Sequence, residues 1–249
     1  MESTSREVPV AVENLSKAFG AQKVLNGVSL QVAGGETVAV LGRSGTGKSV
    51  LLKLLIGLQA PDSGSVHIHG KDIATLDSRQ LNELRRRIGF LFQQAALYDS
   101  LTVEENVAFP LHRYSSEPAS RQKEKVQELL RSVGMGEQGH KMPSQISGGM
   151  QKRVGLARAL VLDPDILLFD EPTAGLDPIT AGEIDDLIVE LREKRKLTAI
   201  VVTHDIHGAK TFADRLVLLR EGKIVAEGSF ADLQKNRDRF VQQFVGSTV

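Results

Sequence analysis

Apolar residues recur along this chain in two rhythms, and the rhythms alternate. Val8, Val10 and Val12 stand at every second position and predict a first strand; residues 25–32 predict a second, closed by Gly34-Gly35. Residues 37–41, Thr-Val-Ala-Val-Leu, form an apolar, β-branched strand. The turn Pro61-Asp62-Ser63-Gly64 leads to a strand over 66–69, a short helix over 78–87 and an apolar strand over 88–92 that runs into Gln93. The texture then changes. Residues 101–161 read as mainly helical, with Val126, Leu129, Leu130 and Val133 at i, i+3, i+4 and i+7, and with a polar link at Ser115-Ser116-Glu117-Pro118. Strands return at 166–169, 199–202 and 216–219, and the stripe Ile184, Leu187, Ile188, Leu191 predicts a helix between the first two. Strands alternating with helices predict an α/β core with a mostly parallel sheet. Residues 94–161 read as a helical subdomain inserted into it, so that 1–249 form one domain with a core made of 1–93 and 162–249.

Composition narrows the function. Lys and Arg number 31 and Asp and Glu 31, for a formal net charge of zero, which argues against a nucleic-acid partner. The chain has no cysteine, so a disulfide framework and thiolate metal sites are excluded. The N-terminal Met1-Glu2-Ser3-Thr4-Ser5-Arg6-Glu7 lacks the apolar core of a secretory signal, and no apolar run is long enough to cross a bilayer. A membrane role must therefore run through a partner.

Chemistry concentrates at Gly42-Arg43-Ser44-Gly45-Thr46-Gly47-Lys48-Ser49, which fits G-x-x-x-x-G-K-[ST] between a strand and a helix. Its glycines let the backbone curl so that successive N–H groups face phosphate oxygens. The following helix adds its N-terminal donors and positive dipole end. Lys48 adds a cation for the β- and γ-phosphates, and the Ser49 hydroxyl can ligate Mg²⁺. Downstream, Ile166-Leu167-Leu168-Phe169-Asp170-Glu171 is an apolar strand ending in two carboxylates. Asp170 is placed to hold Mg²⁺ and Glu171 to accept a proton from attacking water. Between the two motifs, Ser147-Gly148-Gly149 opens a helix bare of bulky side chains, a second anion site. One chain with two phosphate-seeking helix starts makes sense if two copies pair head to tail, each holding nucleotide between its own loop and its partner's Ser-Gly-Gly.

With these motifs the chain resembles the ATP-binding-cassette (ABC) ATPases over nearly its full length. The resemblance implies a P-loop NTPase (RecA-like) core with an antiparallel β subdomain and an inserted α-helical subdomain, and ATP and Mg²⁺ as ligands. It makes Phe19, before Gly20, the aromatic that stacks on adenine, and Gly42 to Ser49 the Walker A loop. Gln93 becomes the glutamine that senses Mg²⁺ and the attacking water, Ser147 to Met150 the signature, Asp170 the Walker B aspartate and Glu171 the catalytic glutamate. Ala174-Gly175-Leu176-Asp177 matches the D-loop that crosses a dimer interface, and His204, in Val202-Thr203-His204-Asp205, the switch histidine at the γ-phosphate. The signature departs from the usual Ser-Gly-Gly-Gln by carrying Met150. In this, in residues 92–100 and 106–111, and in Asp177-Pro178-Ile179-Thr180, the chain is similar to the ATPase subunits of MCE/Mla-type lipid transporters.

That resemblance implies a homodimer on the cytoplasmic face of the inner membrane. It would drive transmembrane permease subunits, together with an MCE-domain protein and a small accessory subunit. The alternatives are an importer ATPase for another cargo, such as polar amino acids, and a non-transport ABC ATPase acting on nucleic acid.

Four further groups invite assignment. His67 and His69 would share one face of a strand and could hold a metal, but no third ligand is evident. Arg85-Arg86-Arg87 reads as a solvated face. Ala95-Ala96-Leu97-Tyr98 fits equally the floor of a groove for a partner helix and internal packing. Residues 240–245 read as packing.

Overall fold

The computed structural model describes residues 7–246; the polar segment 1–6 lies outside them. Ten strands form two sheets among the described residues. Strands β1 (Val10–Phe19), β2 (Gln22–Val32), β4 (Ser63–Ile68) and β5 (Lys71–Asp72) make an antiparallel sheet in the order β2-β1-β4-β5. Strands β3 (Thr37–Leu41), β6 (Ile88–Leu91), β7 (Ile166–Asp170), β8 (Thr198–Thr203), β9 (Arg215–Arg220) and β10 (Lys223–Gly228) make the second, ordered β10-β9-β3-β8-β7-β6. All its pairings are parallel except that of β10, which closes the edge as a hairpin with β9.

Every residue of β3, β7 and β8 is buried, as parallel strands covered on both faces require. Successive side chains go to opposite faces. Val38, Val40, Leu168, Ile200, Val202 and Val217 join one hydrophobic cluster with the antiparallel sheet and α1 (Lys48–Leu55). Ala39, Leu41, Leu167, Phe169, Val201 and Leu218 join another. That second cluster takes in α3 (Val103–Tyr114), α4 (Ala119–Ser132), α5 (Gly148–Leu160), α6 (Pro178–Arg195) and α7 (Ile206–Phe212). The short helices α2 (Ser78–Arg86), α8 (Phe230–Gln234) and α9 (Arg239–Gly246) complete the chain. Val241 and Val245 of α9 are buried in the second cluster, so residues 240–245 pack as expected.

The histidine expectation fails. Strand β4 ends at Ile68, and His69 and Gly70, at φ 48° and 71°, form the two-residue turn into β5. His69 therefore leaves the strand face that carries His67, and its ring meets Glu7 and Asp165 instead. The arginine triplet differs as well. Arg85 donates to the carbonyls of Ile56 and Gly57, Arg86 pairs with Glu83 and donates to Tyr114 O, and Arg87 pairs with Asp165. These are cross-links between elements rather than a free solvated face.

Candidate functional site

Four adjacent parallel strands, β3, β8, β7 and β6, deliver their carboxyl ends to one edge of the sheet, where ligands of open α/β sheets bind. After β3 comes the loop 42–49. Asp170 closes β7 and Glu171 follows it; His204 follows β8 and Gln93 lies just beyond β6. The registers Leu41↔Thr203 and Asp170↔Val202 align these ends side by side.

Backbone demands explain the loop's glycines. Gly45 and Gly47 have φ 79° and 99°, a region that penalises a Cβ. Gly42 is required by proximity: a Cβ there would stand 2.6 Å from Leu219 O. Arg43, Ser44 and Gly45 form the exposed crest, and Thr46 ties back through its hydroxyl to Arg43 O at 2.9 Å. Gly47 is the N-cap of α1 and offers no side-chain cap, which leaves the first N–H groups of the helix for an anion.

Inside the loop is a buried charge cluster. Lys48 Nζ donates to Gly42 O at 2.8 Å and Arg43 O at 3.2 Å, and stands 3.2 Å from Glu171 Oε1. The other carboxylate oxygen of Glu171 lies 2.8 Å from His204 Nδ1 and accepts the His204 N–H at 3.3 Å. Ser49 Oγ donates to Asp170 Oδ1 at 2.7 Å. Burial pushes the Asp170 carboxyl above the usual carboxylate range, with the Ser49 hydroxyl bond opposing and the neighbouring Glu171 charge adding to the rise. Lys48, Ser49, Asp170, Glu171 and His204 thus meet in one place, with two acceptor carboxylates and one buried cation.

Gln93 joins this cluster only through its main chain. Its side chain is exposed, and its carbonyl oxygen accepts from Lys152 Nζ, which also donates to Glu171 O at 3.0 Å. Lys152 was not singled out from the sequence. The available signal is a lysine on the buried stripe Gly149, Lys152, Leu156, Leu160 of α5, a position that normally takes an apolar residue. Burial pushes its pKa down to about 8, against the pull of the Asp170 and Glu171 carboxylates.

The second helix start is separate. Ser147 is the N-cap of α5 and accepts from Met150 N at 3.3 Å; Ser147 and Gly148 are exposed and Gly149 is buried against Thr180. Asp177 is the N-cap of α6, accepting from Ile179 N, Thr180 N and the Thr180 hydroxyl, bonds that hold its carboxyl below the usual range. Leu176 and Thr180 back Gly148 and Gly149, so the signature and the 174–177 segment form one surface. Met150 packs its side chain on the core, which is how an apolar residue fits this position. Phe19 ends β1 with 47 % of its surface exposed, its ring facing Lys17 Nζ at 5.6 Å.

A cleft of about 740 Å³ lies on the far side of β6, lined by aromatic residues including Phe90, Phe92, Tyr98, Phe109 and Tyr114. Ala96 and Tyr98 line it, whereas Ala95 is buried and Leu97 packs on the core, so the 95–98 segment divides between the cleft wall and internal packing. No helix among the described residues is long and apolar enough to cross a membrane.

Comparison with known proteins supplies the family. The ABC transporter family model matches residues 25–174. The probable ribonucleotide transport ATP-binding protein mkl of Mycobacterium tuberculosis is 42 % identical over 96 % of this chain, which spans 66 % of that protein. The intermembrane phospholipid transport system ATP-binding protein MlaF of Haemophilus influenzae is 40 % identical over 95 % of this chain and 89 % of its own length. The methionine import ATP-binding protein MetN of Brucella abortus is 41 % identical over 88 % of this chain and 59 % of its own length. Among solved structures, a dimeric ATP-binding cassette in a post-hydrolysis state bound to ADP and Pi superimposes with a TM-score of 0.81 at 36 % identity, over 88 % of this chain and 98 % of that one. The cbiO1 cassette of Clostridium perfringens gives 0.82 at 28 % identity, over 95 % of this chain and 98 % of that one. With its phosphate-binding loop, paired carboxylates and cassette fold, this chain belongs to the ABC transporter ATP-binding family and is an ATPase.

Proposed function

We propose that this chain works as a homodimer that closes around two ATP molecules and drives a membrane permease for lipid transport between membranes. The observation that carries the catalytic part is the Lys48–Glu171–His204 contact set at the C-terminal edge of the sheet. In this reading the exposed crest 43–45 and the uncapped start of α1 receive the phosphates. Lys48 leaves the carbonyls of Gly42 and Arg43 for the β- and γ-phosphate oxygens. Glu171, released from Lys48, accepts a proton from the attacking water. His204 holds the carboxylate through Nδ1 and faces the γ-phosphate.

The donor set next to it suits Mg²⁺. One carboxylate and one hydroxyl, both hard oxygens already 2.7 Å apart, fit an ion that completes its shell with phosphate oxygens and water. Ser49, Asp170 and the Gln93 side chain would hold it, and it would supply positive charge against the phosphates. Phe19 would stack on adenine, and Ser147, Gly148, Gly149 and Asp177 of a second copy would close the site from the other side. The dimeric cassette bound to ADP and Pi supports that arrangement. Residues 94–161 act as the helical arm that carries the signature, within one domain spanning 1–249.

For the cargo, similarity to MlaF along 95 % of this chain and the Met150 signature support a phospholipid system. Such a system would include transmembrane permease subunits, an MCE-domain protein and a small accessory subunit, with this chain on the cytoplasmic face of the inner membrane. The aromatic cleft beside β6 is where a permease helix would seat. MetN, at 41 % identity, supports a second reading as an amino-acid importer. Purification of the chain from membranes with its bound partners separates the two. Co-purified permease with phospholipid supports the first, and a partner that binds an amino acid refutes it. For the chemistry, Glu171→Gln is expected to keep ATP binding and lose hydrolysis by about 10²- to 10⁴-fold. Turnover at the wild-type rate would remove Glu171 from the role of base.

A further inference from the structure

Lys152 carries no role in the site as proposed, yet it is 5 % exposed and spends two of its three ammonium donors on main-chain oxygens of that site. A buried ammonium is costly unless hydrogen-bonded, so its partners matter. One is the carbonyl of Glu171, the other that of Gln93. They stand just beyond the ends of β7 and β6, which pair in parallel. Among the described residues no other hydrogen bond or ion pair joins these two loop starts across the sheet edge.

One of its partners sits in strained backbone and the other opens a strained turn. Glu171 has φ 48°, left-handed for a residue with a Cβ, a state that persists only where the surroundings over-determine it. On its N–H side Glu171 donates to Val202 O at 2.9 Å; on its carbonyl side it accepts from Lys152. Gln93 leads into Ala95 and Ala96, at φ 57° and 48°. Their carbonyls accept from Arg158, two turns further along the same helix, at 2.6 and 2.7 Å. Helix α5 therefore grips the 93–96 turn at three carbonyls and the backbone of Glu171 at one. The turn in turn lines the aromatic cleft through Ala96.

We infer that Lys152 is a positioning residue for ATP hydrolysis: it locks the main chain of Glu171 to that of Gln93, so the aim of the Glu171 carboxylate follows the position of the 93–96 turn. The inference rests on the proposed role of Glu171 as base. A movement of the turn, such as a helix seated in the cleft would impose, is passed through one ammonium to the residue that activates water. A binding residue would act differently, since the hydrogen bonds of Lys152 go to main-chain carbonyls of this chain.

The test is steady-state ATPase kinetics of the full chain with Lys152→Met, which keeps the apolar stem and deletes both bonds. Lys152→Arg, which can donate to both oxygens, is measured alongside, with Glu171→Gln and the melting temperature of each. Expected for Lys152→Met is a kcat lower by between about 10- and 100-fold, the scale of a misaimed group, with KM for ATP unchanged. Lys152→Arg should recover most of the loss. Wild-type kcat in a folded Lys152→Met overturns the inference. So does a fall in kcat matched by a rise in KM and a lowered melting temperature that Arg does not repair, because that is the signature of a core cross-link alone. Should Lys152→Met not fold, Lys152→Gln is read by the same criteria. Wild-type turnover in Glu171→Gln would instead overturn the role of Glu171 itself, whatever Lys152 shows.

Discussion

Two helices in this chain begin in ways that suit an anion, α1 after the 42–49 loop and α5 after Ser147, and almost everything around them differs. The start of α1 has no side-chain cap and is surrounded by chemistry: a buried lysine, two carboxylates, a hydroxyl and a histidine within hydrogen-bonding reach of one another. At the start of α5 the N-cap serine closes on its own helix, the first residues are bare, and the neighbours are Leu176 and Thr180. One end is equipped to break a bond and the other only to grip. In the proposed dimer the two ends would come from two chains, the gripping end lying against Leu176 and Thr180 next to the Asp177 cap.

The largest difference between the two ends is expected in nucleotide affinity. Lys48→Ala deletes the loop's buried cation and strands Glu171, and should weaken ATP binding by about 10- to 100-fold, the value of a charged hydrogen bond. Equilibrium binding of a fluorescent ATP analogue to the isolated chain reads this directly. The same assay on Ser147→Asp should give wild-type affinity, since aspartate also caps a helix and the α1 loop is untouched. Hydrolysis should nevertheless fall by about tenfold or more, through a like charge set against phosphate. If Ser147→Asp weakened binding in the isolated chain as much as Lys48→Ala, the two ends would not be separable and the comparison would collapse.

The smallest effect belongs to neither end and serves as a control on the switch loop. Asp185 of α6 is buried, and burial above all, with Asp205 and Asp186 adding, pushes its carboxyl up to about 7. A folded pKa above the unfolded value means the folded state holds the proton more tightly. Stability from this group is full below the unfolded value near 3.8 and is lost as pH rises through about 7. Asp185→Asn should therefore flatten the fall in melting temperature between pH 4 and 7, raise it by a few degrees at pH 8 and leave it unchanged at pH 4. A variant with an unaltered pH profile would show that Asp185 is ionised in the fold.

Sequence patterning made the parallel core legible because β3, β7 and β8 are uniformly apolar and the phosphate loop has a strict spacing. It misjudged β1 and β2, read as ending at Val12 and starting at Leu25, because register shifts after Val12 and left-handed Asn14 and Gly27 break the period of two. Strand β10 escaped notice because five of its six residues are exposed or half-exposed on an edge, the charged Lys223 and Glu227 among them. At the site, Lys48 came from the loop's spacing, Glu171 from an apolar strand ending in two carboxylates, and Gln93 and His204 from the family resemblance; all but Gln93 converge through side chains. Lys152 did not, since what it binds is two carbonyls 59 and 19 residues away. Local pattern carries no trace of such main-chain partners. The arginine triplet misled for the same reason: its acceptors lie on Ile56, Tyr114 and Asp165.

The central claim is that residues 42–49 are half of a site completed by Ser147-Gly148-Gly149 of another copy. Its most direct test is the mass in solution of the Glu171→Gln chain by light scattering, with ATP and with ADP, alone and combined with Ser147→Asp. The account predicts a dimer with ATP, a monomer with ADP, and a monomer that still binds ATP once Ser147→Asp is added. A chain that binds ATP and stays monomeric, or an ATP-dependent dimer indifferent to Ser147→Asp, would contradict it.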